Sequence, residues 1–270
     1  MIGAIIGDIV GSRFEFDNYR AKDFELFTKD CVITDDSVMS LAIAKAVMDY
    51  KNNTGDLSEN AVLNMQEYGR EYRGYGYGGN FYYWIYSDTP KPYNSFGNGA
   101  AMRVSACAFA AESRDDALMM SDCVTAVTHN HIEGIKGARA TVDAIWLARN
   151  GKSIPEIKEH ICKNYYNIDF TIDEIRPNYQ FNETCQDTVP QALEAFFESV
   201  SFEDALRTAI SAGGDSDTLA AITCSVAEAY YGVPQEIYNT ALTYLDPKLK
   251  NVLSEFEGQF GNNIKPTNIS

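Results

Sequence analysis

Ile210-Ser211-Ala212-Gly213-Gly214-Asp215-Ser216-Asp217-Thr218 runs directly into an apolar stretch from Leu219 to Tyr231. The two glycines allow a tight backbone approach free of side chains. Thr218 to Ala227 is poor in charge and rich in small residues, which predicts a buried helix with two acids at its mouth. Acids at a helix N-terminus are ordinary taken singly, because free N–H groups and the dipole stabilise each by roughly 0.3–1 kcal/mol. A second copy gives them more weight: Thr34-Asp35-Asp36-Ser37 opens another apolar helix, Val38 to Tyr50. If the two mouths converge, four carboxylates share one pocket. At about 4 Å, each like-charge pair costs roughly 4 kcal/mol at an effective dielectric near 20, so the cluster calls for cations.

Outward from these helices, Gly3, Gly7 and Gly11 recur every four residues among Ile2, Ile5, Ile6, Ile9 and Val10. Glycine weakens a helix by about 1 kcal/mol relative to alanine. Three on one face therefore predict that something approaches the backbone. The pattern ends at Arg13-Phe14-Glu15-Phe16, where Glu15 is either solvated at a helix end or turned toward the acids; Asp8 lies on the same helical face.

Further helices are expected over Ser58 to Arg73, Val104 to Ala111, Asp115 to Asn130, Ile132 to Arg149, Ser153 to Lys163, Val189 to Glu198 and Ser201 to Ala212. Two more start at Pro234 and at Asp246-Pro247. Gly74 to Trp84 reads as a glycine and aromatic loop that either covers a ligand or packs on its own surface. Asn164 to Asp187 reads as a surface excursion and Gly261 to Ser270 as a loose tail. Almost nothing alternates with period two, and neither a linker tract nor a tandem repeat occurs. The expectation is therefore an all-α fold, a single orthogonal helical bundle forming one domain over residues 1–270.

The 270 residues are 45% apolar and 22% charged, with a net charge of −16 that argues against binding a nucleic-acid backbone. Six cysteines without a C-x-x-C pair predict free thiols in a reducing, cytoplasmic setting rather than a zinc site. The N-terminus lacks a basic region and carries Asp8 inside its apolar stretch. It reads as neither signal peptide nor membrane span, and no other run is long enough for one.

Asp35, Asp36, Asp215 and Asp217, with the hydroxyls of Thr34 and Thr218, make an all-oxygen donor set that selects Mg²⁺, Mn²⁺ or Ca²⁺ over Zn²⁺. With Glu15 the carboxylates total −5. Two divalent ions supply +4 and leave the site nearly neutral. Such a pair suits phosphate-ester and glycosidic hydrolysis alike. Ser95-Phe96-Gly97-Asn98-Gly99 is a glycine-bracketed turn ahead of a helix and a weak signal for an anion site. His129, in the turn Thr128-His129-Asn130-His131, is either a hydrogen-bonding residue or a ligand contact.

The blocks Gly3-Ala4-Ile5-Ile6-Gly7-Asp8 with Glu15, Thr34-Asp35-Asp36-Ser37-Val38-Met39, Gly97-Asn98-Gly99-Ala100-Ala101-Met102-Arg103, Thr128-His129 and Gly213-Gly214-Asp215-Ser216-Asp217-Thr218 together resemble the ADP-ribosylglycohydrolase family. Each block is weak alone; their joint order is specific. The resemblance implies a metal-dependent hydrolase that cleaves the glycosidic bond between ADP-ribose and an acceptor side chain, most plausibly arginine, using two divalent cations, Mg²⁺ or Mn²⁺. It makes Thr34, Asp35, Asp36, Asp215, Asp217 and Thr218 the metal ligands and Glu15, Asp36 and Asp215 the catalytic carboxylates. Ser95, Phe96, Gly97, Asn98, Gly99 and His129 become the substrate contacts. The partner would be an ADP-ribosylated protein or an ADP-ribose-containing small molecule. Serine-linked or O-acetyl-ADP-ribose, a diphosphate-cleaving hydrolase and an inactive binding relative are the competing readings. Ser37 and Ser216 stand where threonine is common in the family, which preserves the hydroxyl.

Overall fold

A computed structural model describes residues 1–261; beyond Gly261, the expected tail lies outside the described residues. Helices follow one another as α1 (Ile2–Gly11), α2 (Asp35–Lys51), α3 (Leu57–Glu71), α4 (Gly79–Ile85), α5 (Gly99–Met102), α6 (Ser105–Ala110), α7 (Arg114–Ala126) and α8 (Ile132–Arg149). The chain continues with α9 (Ile154–Asn164), α10 (Ile172–Ile175), α11 (Cys185–Phe197), α12 (Phe202–Ser211), α13 (Ser216–Tyr231), α14 (Gln235–Leu242) and α15 (Pro247–Phe260). Among the described residues there is no strand, only an isolated antiparallel bridge between Gly97 and Thr184. Among the described residues no helix is long and apolar enough to cross a membrane. The all-α expectation holds.

The centre of the fold is α13, buried from Ser216 to Ala229 because its residues, Asp217 and Glu228 apart, are apolar or small on every side. It packs on α1, which is buried along its whole length. The three glycines of α1 supply the reason for their spacing. A Cβ at Gly3 would collide with the carbonyl oxygen of Cys224, one at Gly7 with that of Ala220, and one at Gly11 would lie 2.5 Å from Asp217 Cα. Backbone rests on backbone, so the end of α1 is held at the first turn of α13. Glu15 leaves that end through the 3₁₀ turn Ser12–Phe14 and is thereby delivered to the aspartates.

Helix starts follow their caps. Thr34, Ser113, Ser201 and Asp246 accept backbone N–H groups of α2, α7, α12 and α15, and Ser153 and Thr171 form capping boxes.

Several expected boundaries are corrected. Gly79 to Trp84, read as part of a loop, belongs to α4, where Phe81, Trp84 and Ile85 are buried along one side. Val104 to Ala111 is preceded by the separate short turn of helix α5. The helix expected from Val189 starts at Cys185 and carries Pro190 in its second turn. Asn164 to Asp187 includes α10 and, beyond it, a wall of the cleft described next.

Candidate functional site

The mouth of α2 is built by Asp8, fully buried on α1. Its Oδ2 accepts from the backbone N–H groups of Thr34 and Ser37, both at 3.0 Å, and from the Ser37 hydroxyl; its Oδ1 accepts from Thr34 Oγ1 at 2.7 Å. One carboxylate thus replaces the water that the free helix end would need and sets the direction in which Asp35 and Asp36 point. The same four bonds explain why an acid survives inside an apolar helix, although burial raises its pKa. Thr34 Oγ1 also accepts from Asp36 N at 3.3 Å.

Across the cleft, Thr218 Oγ1 on α13 donates to Asp36 Oδ2 at 3.1 Å, joining the two helix mouths directly. Asp215 precedes α13, where Gly213 and Gly214 adopt positive φ of 78° and 73°, a conformation that costs glycine nothing. Its Oδ2 accepts from Asn98 Nδ2 at 2.6 Å. Asp217 Oδ1 accepts from Thr218 N at 2.9 Å.

Glu15, Asp215 and Asp217 each offer a carboxylate oxygen within 4.8 Å of the others. At that distance a fully ionised pair repels by roughly 3–4 kcal/mol at an effective dielectric near 20. Three pairs would come to roughly 9–12 kcal/mol, comparable to a whole domain's usual stability. Protons or cations must offset this. Burial first and then Asp217, Asp8 and Glu183 push the Glu15 carboxyl up to about 8. Burial, against the hydrogen bonds from Asp217 and Asn98, raises Asp215 to about 6. Burial first, and then the charges of Asp217 and Asp8, raise Asp35 and Asp36; burial first, and then Asp215 and Asp8, raise Asp217.

The residues fit a hard divalent cation. The donors are all oxygen, and Asp36 Oδ1 is buried with no hydrogen-bond partner, a state costing about 1–3 kcal/mol unless a ligand or ion satisfies it. Glu15, Asp215 and Asp217 form the tightest group, with Asp36 tied in through Thr218. Asp35 stands on the cleft wall with its N–H donated to Tyr75 O at 2.6 Å. Thr34 gives its hydroxyl proton to Asp8, which leaves the oxygen as a donor atom, and it lines a neighbouring cavity rather than this cleft.

The cleft, about 250 Å³, is closed on its far side by Ser95, Gly97, Asn98, Gly99 and His129. Asn98 N donates to Glu183 O at 2.7 Å and Cys185 N to Phe96 O at 2.9 Å, so the turn is stapled to the chain leading into α11. Phe96 is the exception among the expected contacts: it is 41% exposed and packs on His131, with ring centroids 5.1 Å apart, outside the cleft lining.

Other cleft residues were not expected at the site. Phe181 and Glu183 come from the expected excursion, Gly76 and Gly78 from the glycine-rich loop, Asn80 and Phe81 from α4, and Arg103, the last residue of the Gly97 to Arg103 block, from just past α5. The stretch expected as a loop therefore borders the cleft that holds the acids. A Cβ on Gly76, whose φ is 97°, would lie 3.1 Å from Asp35 Oδ1. A second cavity of about 580 Å³ shares Glu15 and Gly76 with the cleft and is lined further by Tyr75, Tyr244 and Asp246.

The sequence pattern of the ADP-ribosylglycohydrolase family matches residues 1–259. The chain is 24% identical over 314 aligned residues to the ADP-ribosylhydrolase ARH3 of Xenopus tropicalis, covering 90% of this chain and 89% of that relative. Among solved structures it resembles an ADP-ribosylglycohydrolase-related protein complex with a TM-score of 0.70 at 19% identity, over 96% of this chain and 95% of the other.

Proposed function

Because the chain belongs to the ADP-ribosylglycohydrolase family, we propose that it hydrolyses the glycosidic bond between ADP-ribose and an acceptor side chain, with arginine the first acceptor. The observation that carries this reading is the meeting of Glu15, Asp215 and Asp217, with Asp36 bridged to them by Thr218, in one cleft facing the Gly97–Gly99 turn. Asp35, Asp36, Asp215 and Asp217, with the hydroxyl oxygens of Thr34 and Thr218, are assigned two divalent cations, Mg²⁺ or Mn²⁺. When bound, such ions lower the pKa of a coordinated water and bind hydroxyl or phosphate oxygens.

The chain's own groups divide the remaining work. Glu15 is half-buried at the cleft edge and holds a proton at neutral pH while its neighbours are uncompensated. Compensation of those charges frees its carboxylate to orient or deprotonate a water. Asn98 fixes Asp215, and Thr218 fixes Asp36, so both carboxylates face the anomeric carbon in set positions as positive charge develops there. Ser95, Phe96, Gly97, Asn98, Gly99 and His129 are assigned to the diphosphate and ribose, with Phe96 at the outer rim.

The neighbouring cavity supports arginine as acceptor. Its wall joins Glu15 and Asp246 to two tyrosine rings, a lining suited to a guanidinium through charge and ring-face contact. Six free thiols fit a reducing, cytoplasmic setting.

The test is incubation with arginine-, serine- and acetyl-linked ADP-ribose, with and without chelator, scored by mass. Chelator-sensitive release of free ADP-ribose, fastest from arginine, is expected. AMP as the product would replace this reading with diphosphate cleavage, and no product from any substrate would make the chain a binding relative.

A further inference from the structure

Arg103 is the one guanidinium in the acidic cleft among the described residues, and it is 1% exposed. Among the described residues it pairs with no carboxylate and its Nε has no partner. Its Cζ lies 5.5 Å from the Phe81 ring centroid, and its Nη2 lies 2.6 Å from Thr128 Oγ1 and 3.2 Å from His129 Nδ1. A buried cation without a counter-ion is costly, so what it does for its two neighbours bears directly on the site.

A guanidinium can only donate. Arg103 Nη2 therefore donates to Thr128 Oγ1, and the threonine's own proton is left to find an acceptor. His129 Nδ1, 2.8 Å away, is the acceptor in reach. Placing the proton on Nδ1 instead would set it against the arginine N–H and strand the hydroxyl proton of a fully buried threonine, at about 1–3 kcal/mol. We infer that Arg103, acting through Thr128, is a positioning residue that holds His129 as the neutral Nε2–H tautomer, making the ring a fixed hydrogen-bond donor to ligand oxygens at the Gly97–Gly99 turn.

The direction of Nε2 agrees. It makes no hydrogen bond among the described residues, and it lies 3.5 Å from where a Cβ on either Gly97 or Gly99 would sit. Side chains there would crowd the space in front of the donor. Burial and the adjacent guanidinium also hold the imidazole's pKa well below its ordinary value. Phosphate oxygens only accept, so a ring presenting Nε2–H attracts them, whereas one presenting a lone pair repels them. That the oxygens belong to ADP-ribose rests on the proposed function; the tautomer does not.

Histidine-labelled protein, free of ligand and metal, tests the tautomer by long-range ¹H–¹⁵N correlation. With three histidines in the chain, loss of one signal set in His129→Asn assigns the ring. His129 should show a protonated Nε2 and an unprotonated Nδ1, unchanged across about pH 5.5 to 7.5, where a free imidazole titrates. Arg103→Met should mix the tautomers and weaken ADP-ribose binding roughly three- to tenfold, the equivalent of one hydrogen bond. Arg103→Lys, which still donates, should restore most of both. Thr128→Val, retaining the arginine, should also release the tautomer and serves if Arg103→Met fails to fold. A protonated Nδ1 in the wild-type protein, or an unchanged tautomer and affinity in Thr128→Val and a folded Arg103→Met, overturns the inference. Failure of the wild-type protein to bind ADP-ribose with the tautomer intact counts instead against the functional reading.

Discussion

Asp217→Asn should stabilise the metal-free protein at alkaline pH, although it removes a buried residue at the heart of the fold. Asp217 shares two like-charge pairs, with Glu15 and with Asp215, at separations within 4.8 Å. Each costs roughly 3–4 kcal/mol when fully ionised. Proton uptake has already removed much of this, since Glu15 is held at about 8 and Asp215 at about 6. The surviving repulsion relieved near pH 8 is about 2 kcal/mol, or roughly 4 °C in Tm for a chain of this size. The amide oxygen of asparagine can still accept from Thr218 N, so that bond is not forfeited.

The sign of the pH dependence follows from the raised pKa values. Between about pH 4 and pH 8 the folded form binds more protons than the unfolded one, so wild-type stability is greatest in acid and falls as pH climbs. The advantage of the variant should therefore shrink toward zero near pH 5. Thermal unfolding in chelator at pH 5 and pH 8 is the assay. Adding Mn²⁺ should reverse the order, because the wild type gains a ligand that the variant holds poorly. A lower Tm for Asp217→Asn at pH 8 in chelator, or the same shift at both pH values, would refute the claim that uncompensated charge dominates the cleft.

Glu15→Gln should lower kcat at least a hundredfold while calorimetry finds ADP-ribose binding little changed; an undiminished rate removes Glu15 from the chemistry. Gly7→Ala should cost about 3 kcal/mol in denaturant unfolding. The new Cβ meets the Ala220 backbone, and this exceeds the propensity gain of about 1 kcal/mol. Asp246→Asn keeps the cap on Leu249 N but loses the charge, and should reduce the preference for arginine-linked over serine-linked substrate roughly fivefold in kcat/KM. An unchanged ratio would detach the second cavity from the acceptor.

The parts of this fold that were legible in sequence share one property: their cause is local. The glycine spacing of α1 announced a backbone contact, and the acid–hydroxyl openings of α2 and α13 announced their caps and charge. Ile132–Arg149 was bounded in advance because His131 caps it and Arg149 closes it. Short helices such as α5 and α10 hold four residues each, too few to show a period of 3.6. The wall formed by Phe181 and Glu183 had no local signal either. Its place depends on long-range ties, among them Asn98 N to Glu183 O and Arg20 Nη2 to Tyr179 O. Arg103 closes the Gly97 to Arg103 block, but its role turns on Thr128 and His129, 25 and 26 residues away. The glycines of α1 show the same limit: their spacing shows that a surface approaches without showing that it is the backbone of α13.

The central claim is that acids from two distant helix starts, joined by Glu15, form one cation site. Titration calorimetry of stripped protein with Mn²⁺ near pH 8 tests it most directly. The account predicts saturation at two ions per chain, with Asp36→Asn and Asp217→Asn each weakening the binding, although they lie on different helices. Absence of binding, or binding untouched by either substitution, would contradict it.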